Sequence, residues 1–226
     1  MDSVCVFCGS RDGNTPAFLA AARATGTAIA RRGWKLVYGG GHVGLMGALA
    51  DAALAERGEV IGIMPRALLT REVAHPGISR LHLVTSMHRR KALMGSMADG
   101  FLTLPGGYGT LEEFFETLTW AQLGLHTKPC ALLDAAGFWD PLLTMVDTQI
   151  AAGFVPAEHR RLILTGTDPE ELLDRMAVYI PPGSIDPVPG LPVDGPPLHR
   201  DLAMELDLDA NGSRQAPAGD RDSSRS

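Results

Sequence analysis

The sequence has no apolar run long enough to cross a membrane and no excess of positive charge. Its 226 residues include 20 Lys and Arg against 26 Asp and Glu, which gives a formal net charge of −6. A membrane-spanning helix needs about 20 consecutive apolar residues, and proteins that bind nucleic acid as their main role carry a basic surface. We therefore expect neither a membrane nor a nucleic acid as partner, although a few Arg side chains would suffice to bind one phosphate.

Cysteine is also scarce, with three residues in the chain. This number is too small for a disulfide framework and is typical of a reducing compartment. Cys5 and Cys8 have C-x-x-C spacing, but an odd separation sends their side chains to opposite faces of a strand, which disfavours a redox or metal role. The first residues lack the basic and long apolar segments of a secretory signal, so we expect a cytoplasmic protein.

The apolar segments alternate with helical patterns, which is typical of a parallel sheet with crossover helices. We predict six strands, over 3–8, 34–38, 59–64, 81–84, 100–104 and 129–133, and six helices, over 16–32, 44–57, 87–98, 111–123, 141–152 and 168–179. The predicted fold is α/β, a Rossmann-like doubly wound sheet with helices on both faces, in a single domain over 1–180. Residues 181–226 hold eight of the 16 prolines and no aromatic residue, which predicts a disordered tail.

Three predicted strands end in glycine-rich turns, which are candidates for binding a phosphate. They are Gly9 with Ser10, then Gly39 with Gly40 and Gly41, and finally 106–109. In open parallel sheets, ligands bind beyond the carboxyl ends of the strands, and a glycine turn that leads into a helix brings backbone N–H groups close to an anion. No turn matches a Walker A loop or a full dinucleotide fingerprint, so a mononucleotide phosphate is favoured. Each glycine could also serve only a tight turn.

An acidic segment opens the helix that follows the third turn. Thr110 and Glu113 have the spacing of a capping box, with Thr110 as N-cap, while Glu112 and Glu116 share a face and are more often solvated. A carboxylate next to a phosphate loop could instead stabilise the positive charge that develops on a ribose when its C–N bond breaks, and it could activate water. The sequence leaves both roles open for Glu113.

A basic segment, M-H-R-R-K over 87–91, opens the preceding helix. An Arg side chain can bind a phosphate or a ring nitrogen with its planar fork, and His88 could titrate near neutral pH. Arg89 and Arg90 point about 100° apart on a helix, so we expect only one of them to face the crevice. A solvated basic turn is the alternative.

Two of these segments carry a family resemblance. Residues 105–113 read P-G-G-Y-G-T-L-E-E and match P-G-G-x-G-T-x-x-E, and 87–91 match M-H-x-R-K. Together they resemble the LOG family of cytokinin-activating phosphoribohydrolases, long labelled lysine decarboxylases, and the likeness extends over about residues 2–180.

The resemblance implies a homodimer with its active site at the subunit interface. It implies hydrolysis of N6-substituted adenosine 5′-monophosphates to free base and ribose 5-phosphate, with Arg90 and Glu113 as the catalytic pair and no metal or cofactor. It also implies a set of substrate contacts: Glu72, Lys91, Gly107, Tyr108, Gly109, Thr110, Leu111, Glu112 and Thr119.

Other functions remain open from the residues alone. The same site could serve a general purine nucleoside-monophosphate (AMP) nucleosidase, and the same fold could serve a non-hydrolytic nucleotide carrier. A purely structural dimer is harder to reconcile with three glycine turns. The decarboxylase label is disfavoured because pyridoxal-phosphate enzymes need a Schiff-base lysine. The three lysines, Lys35, Lys91 and Lys128, lie at a strand start, in the basic motif and before a proline.

Overall fold

The computed structural model describes residues 1–69 and 73–182. Its strands are β1 (Ser3–Phe7), β2 (Lys35–Tyr38), β3 (Val60–Pro65), β4 (Arg80–Val84), β5 (Phe101–Thr103), β6 (Cys130–Leu133) and β7 (Ile163–Gly166). Its α-helices are α1 (Pro16–Arg31), α2 (Gly44–Ala55), α3 (Met87–Ser96), α4 (Tyr108–Gln122), α5 (Asp140–Ala151) and α6 (Pro169–Ala177). Short 3₁₀ helices cover Arg66–Leu68 and Ala157–Leu162. The predicted tail, from residue 183 onward, lies outside the described residues.

The seven strands form one parallel sheet in the order β4-β3-β2-β1-β5-β6-β7. From β1, successive strands are added outward on one side as β2, β3 and β4, and then on the other side as β5, β6 and β7. The sheet is therefore doubly wound, and the side on which strands are added changes between β1 and β5. Adjacent crossovers leave from opposite faces at such a switch point, which opens a crevice at the carboxyl ends of these two strands. The predicted fold class is confirmed.

Helices cover both faces of the sheet. Alternate side chains of β1 enter two different cores: Val4 and Val6 pack with α1, α2 and α6, while Cys5 and Phe7 pack with α3 and α4. Cys8 lies in the first of these cores, so the prediction that Cys5 and Cys8 face opposite sides is confirmed. Burial raises the pKa of both thiols well above the usual range, which keeps them protonated.

Local sequence signals set the starts of the helices. Thr15 accepts a hydrogen bond from the Ala17 N–H and Pro16 follows it at the first helical position of α1. Ser86 accepts from the Arg89 N–H at the start of α3, and Asp168 accepts from the Glu171 N–H at the start of α6. Side chains of these types satisfy backbone donors that have no partner inside the helix.

Two details differ from the predicted elements. Strand β7 was not predicted, and it forms the edge of the sheet beside β6. Helix α4 begins at Tyr108, three residues before the predicted start at 111. Among the helices in residues 1–69 and 73–182, none combines the length and apolarity needed to span a bilayer.

Candidate active site

A cavity of about 300 Å³ lies at the switch point, where β1 and β5 end. Parts of all three predicted glycine turns reach it, together with the starts of α3 and α4. Its lining is Val6, Phe7, Cys8, Gly9, Ser10, Gly39, Met46, Leu68, Met87, Arg90, Gly107, Tyr108, Gly109, Thr110, Glu112 and Glu113. The order of the strands thus brings residues from distant parts of the chain to one crevice.

Backbone hydrogen bonds join the first and third turns. The Gly9 N–H donates to the Pro105 carbonyl at 3.0 Å, and the Gly9 carbonyl accepts from the Met46 N–H at 3.4 Å. The Gly9 N–H therefore already has a hydrogen-bond partner within the protein and is not available to a ligand. The exposed Ser10 beside it is the part of this turn that presents a side chain to the cavity.

The third turn ends in the N-terminus of α4. Gly107 is the N-cap, in extended conformation, and its carbonyl accepts the first helical hydrogen bond from the Leu111 N–H at 3.1 Å. The N–H groups of Tyr108, Gly109 and Thr110 precede that bond, so they lie at the positive end of the helix dipole. Gly107, Tyr108 and Gly109 are exposed. This end of α4 can bind an anion.

Thr110 is not the N-cap, and the predicted capping box is wrong. Gly107 makes the cap and no side chain hydrogen-bonds to it, which places Thr110 in the first turn and Glu113 beyond it. The buried Thr110 side chain instead packs over Gly106, where an added Cβ would lie 2.1 Å from Thr110 Oγ1. Glu113 is therefore not engaged in capping the helix.

Arg90 and Glu113 form a buried ion pair in the wall of the cavity. Arg90 Nη2 lies 3.6 Å from Glu113 Oε1, and the two residues are 7% and 8% exposed. The guanidinium lies against the backbone of Gly39, where an added Cβ would come within 2.2 Å of Nη2. Arg90 faces the cavity and Arg89 does not line it, as the helix geometry predicts.

The guanidinium of Arg90 uses few of its five N–H donors within the described part of the chain. The ion pair at 3.6 Å is longer than a hydrogen bond, the Met87 Sδ contact of Nη1 is 3.9 Å, and Nε has no partner. Buried donors are normally satisfied. A guanidinium with spare donors beside a carboxylate and a helix N-terminus can stabilise an anionic group and a cationic centre in one cavity.

Lys91, next to Arg90, does not line this cavity. Its side chain is 10% exposed and pairs with Glu112 Oε1 and, at 2.9 Å, with Glu116 Oε1. Burial alone would lower the pKa of Lys91, but the hydrogen bonds to the two carboxylates more than offset it, so the pKa is raised. Lys91 therefore carries a positive charge, and its ammonium group is paired with two carboxylates of α4.

Several other residues predicted for the site lie elsewhere. Gly40 and Gly41 pair with the segment before β4, through the His75 N–H to the Gly40 carbonyl at 3.0 Å and a bridge from Gly41 to Ala74. Leu111 packs against the core between α4 and α5. Thr119 is exposed and lines a separate depression of about 210 Å³ between those helices. Glu72 lies outside the described residues.

Gly39 was predicted as part of the second glycine turn, but five other residues of the cavity wall were not predicted for the site: Val6, Phe7, Cys8, Met46 and Leu68. Gly39 is the first glycine after β2 and so lies nearest the strand end. Leu68 had no visible signal, since an apolar residue in a short 3₁₀ helix looks like many surface residues.

The fold also brings together a group that spacing along the sequence did not reveal. His42, Asp51 and His75 place one ligand atom each within 4.8 Å of one another. The His75 Nε2 lies 3.0 Å from Asp51 Oδ1, while His75 Nδ1 accepts from the Gly77 N–H at 3.1 Å. This arrangement puts the imidazole proton on Nε2, toward Asp51, so Nε2 has no lone pair for a metal. His42 contacts the His75 ring edge to face, with ring centroids 4.5 Å apart.

The chain is similar in sequence to a known family of proteins and to several of its members. The sequence profile of a family described as "Possible lysine decarboxylase" matches residues 46–176. The cytokinin riboside 5′-monophosphate phosphoribohydrolase LOG2 of Arabidopsis thaliana is 45% identical over 178 residues, which are 79% of this chain and 84% of that protein. The enzyme LOG of Oryza sativa subsp. japonica is 43% identical over 178 residues, 79% of this chain and 74% of that protein.

Solved structures share the fold at lower identity. A molybdenum cofactor binding protein from Rippkaea orientalis superimposes with a TM-score of 0.57 at 23% identity, over 78% of this chain and 95% of its own. The molybdenum cofactor carrier protein of Chlamydomonas reinhardtii gives 0.59 at 17% identity, over 79% and 99%. At such identities the likeness establishes the fold alone.

Proposed function

The chain belongs to the LOG family of cytokinin riboside 5′-monophosphate phosphoribohydrolases, and from that premise we propose that it hydrolyses the N-glycosidic bond of N6-substituted adenosine 5′-monophosphates. The products are the free base and ribose 5-phosphate. The observation that carries the proposal is the buried pair of Arg90 and Glu113, 3.6 Å apart, in one cavity with the exposed N-terminus of α4.

The N-terminus of α4 is the place for the 5′-phosphate. The backbone N–H groups of Tyr108, Gly109 and Thr110 are unused by the helix, and the helix dipole favours a negative charge there. The hydroxyl of Thr110 and the side chain of Ser10 border the same space. A phosphate at this end of the cavity leaves the ribose beside the next turn of α4, where Glu113 lies.

Glu113 then acts on the sugar. As the bond between ribose C1′ and the purine nitrogen breaks, C1′ gains positive charge, and a nearby carboxylate stabilises it. The same carboxylate accepts a proton from water as the water oxygen bonds to C1′. The electron pair of the broken bond goes to the purine, where Arg90 stabilises the negative charge until the base takes up a proton.

The lysines do not fit the chemistry of a decarboxylase. Lys35 lies near Glu59 at 3.7 Å, Lys91 is paired with two glutamates, and Lys128 donates to the Gly95 carbonyl at 2.7 Å. None of the three lines the cavity. A Schiff base to a cofactor needs a lysine amine within the site.

The active form in this proposal is a cytoplasmic homodimer built from the domain over 1–180, with its site at the interface. Thr119 lies in a depression between α4 and α5, apart from the cavity of its own chain. The exposed apolar side chain of Phe115, which lines the same depression, would be covered by a second copy. Light scattering of the purified chain tests this, and a monomer that is fully active would contradict it.

The reaction itself is tested by chromatography of products from a panel of nucleoside 5′-monophosphates. We expect N6-isopentenyladenine and ribose 5-phosphate from the corresponding monophosphate, at a higher kcat/KM than adenine from AMP. Equal or better use of AMP would identify a general purine nucleotide nucleosidase. Tight nucleotide binding without any base release would identify a carrier and contradict the proposal.

A further inference from the structure

Two pairs of adjacent charges join α3 to α4 at the cavity. Arg90 and Lys91 are neighbours on α3, and Glu112 and Glu113 are neighbours on α4. Arg90 forms an ion pair with Glu113 in the cavity wall. Lys91 forms an ion pair with Glu112 and does not itself line the cavity. Glu116, one turn further along α4, provides the second carboxylate for Lys91 at 2.9 Å.

The apolar contacts between these helices lie toward their other ends. Leu93 of α3 and Met97, which caps its C-terminus, pack in the same core as Leu118 and Ala121 of α4, and Gly95 faces the ring of Trp120. The ends that border the cavity are therefore joined by charged side chains. The Lys91 side chain is 10% exposed and contacts two carboxylates, so it is held more firmly than the lysine of an exposed surface ion pair.

The negative charges of α4 favour a cation at the position of Lys91. Glu112, Glu113 and Glu116 put three carboxylates on two turns of one helix, and two of them line a cavity that is to receive a phosphate. Like charges four residues apart destabilise a helix. Lys91 lies between Glu112 and Glu116 and neutralises part of this charge, while Arg90 faces Glu113.

We propose that Lys91 is a positioning residue: by binding Glu112 and Glu116, it holds the start of α3 against α4 and so fixes the distance between Arg90 and Glu113. This inference rests on the proposed function of the same cavity. It gives Lys91, which does not line the cavity of its own chain, an action through the two glutamates.

Replacement of Glu116 distinguishes a positioning role of Lys91 from a direct contact with the substrate, because Glu116 binds Lys91 but does not line the cavity. We expect Lys91→Met to lower kcat about tenfold or more, and Glu116→Gln to lower it about threefold, since small misplacements of catalytic groups have effects of this size or larger. KM should change little in both variants. The double variant should be no slower than Lys91→Met alone, because both changes break one network.

Two further variants complete the comparison. Lys91→Arg keeps a cation between the glutamates and should retain most of kcat. Arg31→Met breaks an ion pair of 2.9 Å with Glu56, remote from the cavity, and should leave kcat unchanged. The positioning role is wrong if Glu116→Gln turns over like the wild type while Lys91→Met does not, or if the two losses multiply in the double variant.

Hydrogen exchange gives a readout that does not depend on turnover. Lys91→Met and Glu116→Gln should both speed amide exchange over 87–94, relative to the wild type and to Arg31→Met, because the start of α3 is released. Unchanged exchange in both variants would overturn the inference. If the wild type released no base from any nucleotide, the proposed reaction would fail, and the exchange result would still decide whether Lys91 holds α3.

Discussion

Replacement of Gly39 by alanine perturbs the catalytic pair without replacing either of its two residues. An added Cβ would lie 2.2 Å from Arg90 Nη2, and ordinary van der Waals contact begins at 3.4 Å. The guanidinium must therefore move by about 3.4 − 2.2 = 1.2 Å. The atom that must move is the end of a flexible side chain, so the backbone can stay in place.

The expected effect is large on turnover and small on stability. A misplacement of about 1 Å in a catalytic group can cost about 100-fold, so we expect kcat of Gly39→Ala to fall about ten- to hundredfold. Rearrangement of one side chain at a cost of about 1 kcal/mol would shift Tm by about 2–4 °C in a chain of this size. Steady-state kinetics and thermal unfolding measure the two effects separately.

Gly95→Ala is the matched control for this experiment. Gly95 lies inside α3, and an added Cβ would meet the ring atoms of Trp120 and Phe101 at 3.8 and 3.9 Å, which is ordinary contact. Alanine is favoured over glycine in a helix by about 1 kcal/mol, so this variant should keep its kcat and gain slightly in Tm. Wild-type kcat in Gly39→Ala would refute the role assigned to the Arg90 geometry.

Two further predictions concern the phosphate loop and a buried histidine. Gly106→Ala would place a Cβ 2.1 Å from Thr110 Oγ1; because the β-branched Thr110 has few rotamers in a helix, the loop must shift, and KM for the nucleotide should rise about tenfold or more, whereas an unchanged KM would count against phosphate binding there. Desolvation lowers the pKa of His126 to about 4 and outweighs its hydrogen bond to the Thr117 carbonyl. Since the folded pKa lies below the unfolded value of 6.5, the stabilisation is complete above pH 6.5 and is lost as the pH falls toward 4, by up to ~3 kcal/mol. Urea unfolding at several pH values should show a weaker loss in His126→Gln, and identical pH dependence in both proteins would contradict this.

The sequence predicted most of the sheet because its strands are apolar runs bounded by turns. Strand β7, Ile163–Gly166, was missed because four residues at a sheet edge, three of them only partly buried, do not produce a periodic pattern. The start of α4 was placed too late because Thr110 and Glu113 fit a capping box. The glycines before Thr110 allowed the helix to begin earlier, and Gly107 became the N-cap.

The candidate site, like the sheet, could be predicted from the sequence only in part. Arg90 and Glu113 were named from their motifs, but their 3.6 Å separation depends on the packing of α3 against α4, which no local pattern contains. The direction of a side chain on a helix follows from its phase and its tertiary partners. Lys91 therefore pairs with the glutamates beside the cavity, and Thr119 lines a separate depression, although the family resemblance implies a substrate contact for both.

The most direct test of the central claim is the rate of base release by Glu113→Gln from N6-isopentenyladenosine 5′-monophosphate under single-turnover conditions. The side chain keeps its size and loses its charge, so the variant should still fold and bind the nucleotide, with some loss of Tm because Arg90 loses its buried counter-charge. Loss of a positioned acid or base costs about 10²–10⁴-fold, and we expect a decrease within that range. Release at the wild-type rate would show that the carboxylate beside Arg90 does not act on the sugar, and the proposed mechanism would be wrong.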